Sequence, residues 1–161
     1  MSKTIVIYYS RTGTTRKFAE ALANVFSGTT IEIKDKKNRL GVLGFLRGIN
    51  DARKERTTEI EPANVDISNA ELILFGTPVW AGRSSPAINT IIQNLDLKGK
   101  NVITFTTARS ANVEGAYRVM DKLVAKQGGK VLDHTMIREK NIENAKNIAE
   151  EFAKKVSERI K

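Results

Sequence analysis

The chain contains no cysteine, which excludes disulfides, iron–sulfur clusters and thiol redox chemistry. Any redox role must therefore rest on a bound organic cofactor. Histidine is almost as scarce: His134 stands alone, in or near a predicted strand, and is expected to be structural. No carboxylate pair, nucleophilic triad or metal-ligand spacing stands out, so no catalytic residue and no metal site is assigned. No apolar run is long enough to span a bilayer. Met1-Ser2-Lys3 leads straight into a strand without a leader, which points to a cytoplasmic protein. Acids are in deficit, with 18 Asp and Glu against 27 Lys and Arg, a net charge of +9. The basic residues are not interleaved with aromatics, and no nucleic-acid motif occurs, so nucleic acid is not an expected partner.

What the chain does have is regular alternation of strand-like and helix-like segments. Its 161 residues suit a single domain, 1–161. The patterning predicts strands at about Lys3–Tyr9, Thr30–Lys34, Glu71–Gly76, Asn101–Thr106 and Lys130–Ile137. Helices are predicted at about Thr14–Phe26, Pro86–Asn94, Glu114–Gln127 and Ile142–Ile160. That order is an α/β fold, a doubly wound parallel sheet flanked by helices. Near-continuous apolar runs such as Thr4-Ile5-Val6-Ile7-Tyr8-Tyr9 are those of strands buried on both faces.

Directly behind that first strand comes Ser10-Arg11-Thr12-Gly13-Thr14-Thr15. A strand, a hydroxyl-rich turn and a helix N-terminus make an anion site, because the first helical N–H groups lack partners and carry the positive end of the helix dipole. Ser10, Thr12, Thr14 and Thr15 can donate to phosphate oxygens, and Gly13 permits close approach or positive φ. Neither G-x-x-x-x-G-K-[ST] nor G-x-G-x-x-G is spelled, so the loop suits a compact terminal phosphate monoester. A helix that simply begins with Ser and Thr caps and binds nothing stays open as the alternative.

The second informative stretch follows Leu72-Ile73-Leu74-Phe75-Gly76 and reads Thr77-Pro78-Val79-Trp80-Ala81-Gly82-Arg83-Ser84-Ser85-Pro86. A lone Trp is commonly a core residue. Here Pro78 and Gly82 flank it, which argues for a surface loop where a flat side chain needs a flat partner. Ser85 followed by Pro86 predicts a helix cap with proline at the first helical position. In open α/β sheets ligands bind at the carboxyl ends of strands where strand order reverses, which predicts that the loops after the first, third and fourth long strands meet.

With both loops in view the chain resembles the flavodoxin family. Ser10 to Thr15 match its S/T-x-T-G-x-T phosphate loop, and Gly76-Thr77-Pro78-Val79-Trp80 match its G-[ST]-P-x-[WY] flavin loop. The resemblance spans essentially the whole chain, with the short last crossover of the short-chain members. It implies a five-stranded parallel sheet in the order 2-1-3-4-5, counting those predicted strands, and FMN as cofactor. It also implies FMN contacts from Ser10, Arg11, Thr12, Gly13, Thr14 and Thr15 at the phosphate. Thr77, Pro78, Val79, Trp80, Ala81 and Gly82 would meet the ring, with Trp80 stacked on it. Thr106, Thr107, Ala108, Arg109 and Ser110 would meet the pyrimidine edge.

The third loop departs from the family, since it carries neither a second aromatic nor an acid, and Tyr117 lies beyond it as an expected packing residue. An inward Arg109 would raise the flavin potential: a unit charge at about 8 Å with effective ε near 20 is worth ~2 kcal/mol, roughly 90 mV for one electron. A solvated Arg109 is the alternative. The basic balance would call for redox partners with an acidic docking face.

From Lys34 to Arg56 the chain carries eight basic and three acidic residues, together with Leu40, Val42, Leu43, Phe45, Leu46 and Ile49 among three glycines. This stretch stands where a plain second helix would be. It is expected to fold onto the sheet as an irregular core helix or to form a homodimer through 40–50; membrane or partner docking is the alternative. Three classes of function follow: an FMN electron carrier, an FMN-dependent oxidoreductase such as a quinone reductase or a flavodoxin-type protoporphyrinogen oxidase, and an interaction module that has lost the cofactor. A receiver domain would need acids where Tyr9-Ser10-Arg11 stands.

Overall fold

In the computed structural model, which describes residues 3–160, the apolar run Thr4–Tyr9 is the central strand β1. It is flanked by β2 (Thr29–Asp35) and by β4 (Leu72–Trp80), both parallel to it. Strands β6 (Asn101–Ala108) and β7 (Lys130–Arg138) continue the sheet beyond β4, also parallel. The five long strands thus lie in the order β2-β1-β4-β6-β7, the expected 2-1-3-4-5. Two short antiparallel strands escaped the sequence reading: β3 (Ile60–Glu61) extends the edge beyond β2, and β5 (Arg83–Ser84) folds back on the end of β4.

Side chains of β1 alternate between two cores, as the two-residue period of a strand requires. Ile7 and Tyr9 face a layer built from α3 (Pro86–Asn94) and α4 (Glu114–Lys126), whereas Val6 and Tyr8 face α1 (Thr14–Val25) and α5 (Ala145–Ile160). Helix α1 buries Phe18, Ala19, Leu22 and Ala23, and its Phe18 meets Phe105 of β6 edge to face at 5.6 Å. Each such aromatic or leucine withdrawn from water contributes roughly 1.5–3 kcal/mol. Gly76 of β4 is required here, because a Cβ at that position would fall 1.9 Å from the Phe105 ring. The last helix begins later than its apolar pattern predicts: Glu139–Asn144 form a 3₁₀ segment, and α5 starts at Ala145.

The segment between β2 and β3 corrects the expectation of an irregular core helix. Gly41–Arg53 form a regular helix, α2, and Phe45 and Ile49 are half-buried against the core. Leu40, Val42, Leu43 and Leu46, however, are exposed to solvent. Ile88, Ile91 and Ile92 of α3 with Leu95 just after it are buried, as are Ala145, Ala149, Phe152 and Val156 of α5, and so is Tyr117, whose hydroxyl donates to the Thr135 carbonyl at 2.7 Å. Among the described residues no helix is long and apolar enough to cross a membrane.

Candidate functional site

Strand order reverses between β1 and β4, since β2 lies to one side of β1 and β6 and β7 lie beyond β4. At the carboxyl ends of these strands opens a cavity of about 370 Å³. The predicted residues Ser10, Arg11, Thr12, Thr14 and Thr15 line it from the β1–α1 turn. Pro78, Val79, Trp80, Ala81 and Gly82 line it from the end of β4, and Thr107, Ala108, Arg109 and Ser110 from the end of β6. Three predicted residues stand behind the wall instead. Gly13 shapes the turn at φ 103°. Thr77 is buried and holds Ser85 through its hydroxyl at 2.9 Å. Thr106 is buried and pairs with the Tyr117 hydroxyl at 3.1 Å.

The turn after β1 explains how the chain arrives at α1. Ser10 Oγ accepts the Gly13 N–H at 3.0 Å and the Arg16 N–H at 3.3 Å, so the hydroxyl holds the turn together. Left-handed Gly13 starts the helix with no side chain of its own to cap it, Ser10 takes only the Arg16 N–H among the helical ones, and the first turn holds no acid. The dipole end is therefore presented to the cavity without a competing carboxylate. Thr15 lines the cavity from a more buried position, and its Oγ1 shares a hydrogen bond with Thr107 Oγ1 at 2.6 Å, tying the first loop to the third. Thr12 and Thr14 keep more exposed hydroxyls, and Ser10 retains its own O–H to donate.

Trp80 is also corrected. It does not sit in a surface loop: it is the last residue of β4, paired across the Ala81-Gly82 turn with Arg83, and it is only 5 % exposed. Both turn residues take positive φ, 49° at Ala81 and 74° at Gly82, as tight primed hairpins require. The indole is held edge to face by Tyr9 at 5.7 Å and by Phe45 at 6.1 Å, and α2 closes over it at Gly48. What borders the cavity is the small remaining edge of a core side chain. Burial pushes the Tyr9 hydroxyl up to about 12.

Two lining residues were not foreseen, Phe45 from α2 and Glu139 at the start of the 3₁₀ segment, and Asn112 joins them from the end of the third loop. Phe45 provides the second aromatic that the third loop lacks, and the Arg11 guanidinium lies 4.6 Å from its ring centre. Arg11 is steered there by its Nε, which donates to the Arg39 carbonyl at 2.8 Å. Glu139 supplies the missing acid and pairs with Arg109 Nε at 3.3 Å. Arg109 itself is 86 % exposed along its side chain, so it does not point inward as a lone buried charge.

Beneath the rim, Arg39 is the buried hub. Its Nε meets Asp35 at 2.9 Å and one terminal nitrogen meets Asp51 at 2.8 Å. Burial opposes ionisation of Asp51, but hydrogen bonds from Arg39 and Arg56 outweigh it and hold the carboxyl below its ordinary value of 3.8. His134 lies elsewhere, on β7, between Thr104 and Asp121 and stacked on Tyr117 at 4.3 Å, in keeping with a structural role. Among the described residues no cluster of His, Asp and Glu could hold a metal ion.

A flavodoxin family model matches residues 3–148. Among solved structures, a candidate flavoprotein of Bacteroides uniformis has a TM-score of 0.75 at 25 % identity, covering 91 % of this chain and 96 % of its own. A flavoprotein of Lactobacillus acidophilus in complex with FMN has a TM-score of 0.72 at 22 % identity, covering 89 % and 98 %. A Fusobacterium nucleatum flavodoxin bound to flavin mononucleotide has a TM-score of 0.59 at 18 % identity, covering 97 % and 98 %. No curated protein matches the chain.

Proposed function

The chain belongs to the flavodoxin family, and from that membership we propose that it is a cytoplasmic, single-domain FMN-binding electron-transfer protein. One observation carries the reading: a single cavity at the sheet's switch point joins a hydroxyl-bearing helix N-terminus free of acid in its first turn to a wall formed by Phe45 and Trp80. The residues suit the group. A phosphate monoester needs N–H and O–H donors, here with no acid in the first turn of α1, and a flat heterocycle needs aromatic and apolar side chains around it. That two structural neighbours hold FMN supports the assignment.

Bound FMN would supply one- and two-electron transfer. The chain's own part is binding, orientation and exclusion of water. Thr12, Thr14 and the Ser10 hydroxyl, with the first N–H groups of α1, would hold the phosphate. Phe45, fixed by Arg11, and the edge of Trp80 would shield the ring, and the backbone of Thr107 to Ser110 would meet its polar edge. Thr15 bonded to Thr107 keeps the first and third loops in register. The net charge of +9 suits redox partners that present an acidic face.

A second reading, an FMN-dependent oxidoreductase acting on a quinone or similar ring, is favoured by a shallow dip beside the cavity. Val42, Phe45 and Leu46 line the dip between Arg11 and Arg109. Reconstitution with FMN, followed by a dithionite titration read by absorbance, tests both. Failure to take up FMN would overturn the family of readings. Reduction resolved into two one-electron stages marks a carrier, and a single two-electron stage marks an oxidoreductase.

A further inference from the structure

Helix α2 is built inside out. Its buried face is formed by Gly44, Gly48, Asp51 and Ala52, whereas Val42 is 79 % exposed, Leu43 64 % and Leu46 56 %, with Leu40 just ahead of the helix at 62 %. The arrangement is fixed by contact. A Cβ on Gly44 would stand 2.6 Å from the Asn38 carbonyl oxygen, and one on Gly48 would stand 2.9 Å from Trp80. Rotating the helix to bury its leucines would drive them into those same places. Nothing in the fold gains from these four aliphatic side chains, so they are an outward-facing apolar patch.

The exposed charges of α2 itself are basic. Asp35 and Asp51 are turned inward onto Arg39. Arg47, Arg53, Lys36 and Lys37 are exposed. The patch is made of aliphatic side chains on the outer face of a helix, and its Val42 and Leu46 border the shallow dip beside the cavity. Its one neighbouring aromatic, Phe45, is half-buried and turned to the cavity. Protein hot spots favour Trp, Tyr and Arg in fitted pockets and under-use Leu and Val, whereas an acyl layer accepts aliphatic side chains of any shape. A twofold contact of α2 with its own copy would set basic rim against basic rim on a chain of net charge +9.

We propose that α2 docks the protein on an anionic lipid surface. Leu40, Val42, Leu43 and Leu46 enter the boundary between headgroups and acyl chains, and Arg47 and Arg53 meet lipid phosphates. Docking does not depend on the cofactor reading. It does place the cavity mouth at the membrane, because Phe45 of the same helix lines that mouth.

Sedimentation of the full chain with vesicles tests this. The protein should pellet with equimolar phosphatidylglycerol and phosphatidylcholine and stay in solution with phosphatidylcholine alone. Leu43→Gln with Leu46→Gln should weaken the binding by about tenfold at an unchanged melting temperature. Arg47→Gln with Arg53→Gln should weaken it and reduce its salt dependence. Equal partition with both vesicle types would overturn the proposal, and so would leucine variants that bind like the parent. A dimer by light scattering that the leucine variants convert to monomer would give the face to a second copy instead.

Discussion

Gly48 of α2 carries Trp80 directly against its backbone: a Cβ on the glycine would stand 2.9 Å from the indole Cζ3. The helix backbone therefore packs directly on the indole, with no side chain of the helix between them. Gly48→Val should force α2 outward. The gain in helix propensity is worth a few tenths of a kcal/mol, but the overpacking costs about 1–3 kcal/mol, so the net effect is destabilising. Trp80 is the only tryptophan, which makes its fluorescence a clean reporter. Urea unfolding should show a lower midpoint, and the native emission should shift to the red as water reaches the ring. An unchanged midpoint and spectrum would show that the helix does not rest on the indole.

Trp80 and Phe45 divide the labour of the aromatic wall differently. Trp80→Ala should cost about 3–5 kcal/mol of stability, since the ring is a buried core side chain. Phe45→Ala removes a half-buried ring at the cavity and should cost less stability. Its loss should weaken FMN by roughly 1–3 kcal/mol, by analogy with stacking of bases on aromatics. Paired measurements of melting and of flavin fluorescence quenching separate the two. If Phe45→Ala quenches and binds FMN like the parent, Phe45 is not part of the cofactor wall.

The order of elements was legible because buried parallel strands are short apolar runs and the helices between them carry a period of 3.6. The turn at Ser10–Thr15 was legible for the same kind of reason, as hydroxyls and a glycine must stand where a strand hands over to a helix. Trp80 was misread because Pro78 resembles turn punctuation. In the structure Pro78 lies within β4, whose ladder with β1 ends at Gly76 and whose pairing with β5 begins only at Val79. On the other side Pro78 stays in register with Thr107 of β6, so the proline stands where only one neighbouring strand remains. Of the core and dimer readings of α2 the core one fails for its leucines, because composition does not reveal which face a helix shows. Gly44 and Gly48, four residues apart, were the available signal for the buried side. Phe45 and Glu139 were missed because each reaches the cavity from an element distant in sequence from the three loops.

The phosphate loop makes a prediction that discriminates between ligands. Thr12→Ala with Thr14→Ala should reduce FMN affinity by about a hundredfold or more, since each of the two hydrogen bonds to a charged group contributes about 1.5–3 kcal/mol. Riboflavin, which has no phosphate, should bind the variant and the parent alike. Thr15 must be left intact in this experiment, because its hydroxyl ties α1 to β6 at 2.6 Å and its loss would disturb both ligands. Equal losses for FMN and riboflavin would remove the phosphate assignment.

Acid should act through Asp51. Its carboxyl titrates below 3.8 in the folded chain, as the hydrogen bonds from Arg39 and Arg56 overcome its burial. A folded value lower than the unfolded one stabilises the protein above the unfolded pKa, and that stability is lost as pH falls through the folded value. Stability should therefore fall away below about pH 4. Asp51→Asn should flatten this acid limb. At neutral pH it should cost on the order of 3–5 kcal/mol, because Arg39 is left buried with one of its two carboxylate partners gone. Urea midpoints across pH, parent against variant, check both statements, and parallel curves would sink the assignment.

The flavin potential turns on a pair rather than on one arginine. Arg109 taken alone would raise the potential, but its Nε lies 3.3 Å from Glu139, and both side chains are substantially exposed, 86 % and 45 %. Water screens each charge, and each offsets the other. At the dielectric of water a unit charge roughly 8 Å from a ring is worth about 0.5 kcal/mol, or about 20 mV for one electron, well below the value for a buried cation. Removing the partners one at a time should split the effect by sign. Glu139→Gln leaves Arg109 uncompensated and should raise the potential of bound FMN by about 20 mV. Arg109→Gln leaves Glu139 and should lower it by a similar amount. The double variant should return to the parent value, because the pair contributes almost no net charge. Both shifts should shrink as salt is added, since exposed charges are screened within a Debye length. Potentiometry on the four proteins at two ionic strengths decides the point. A large, salt-insensitive drop on losing Arg109 alone would mean that its guanidinium turns inward when FMN is bound, and that the ion pair at the rim is given up to hold the ring.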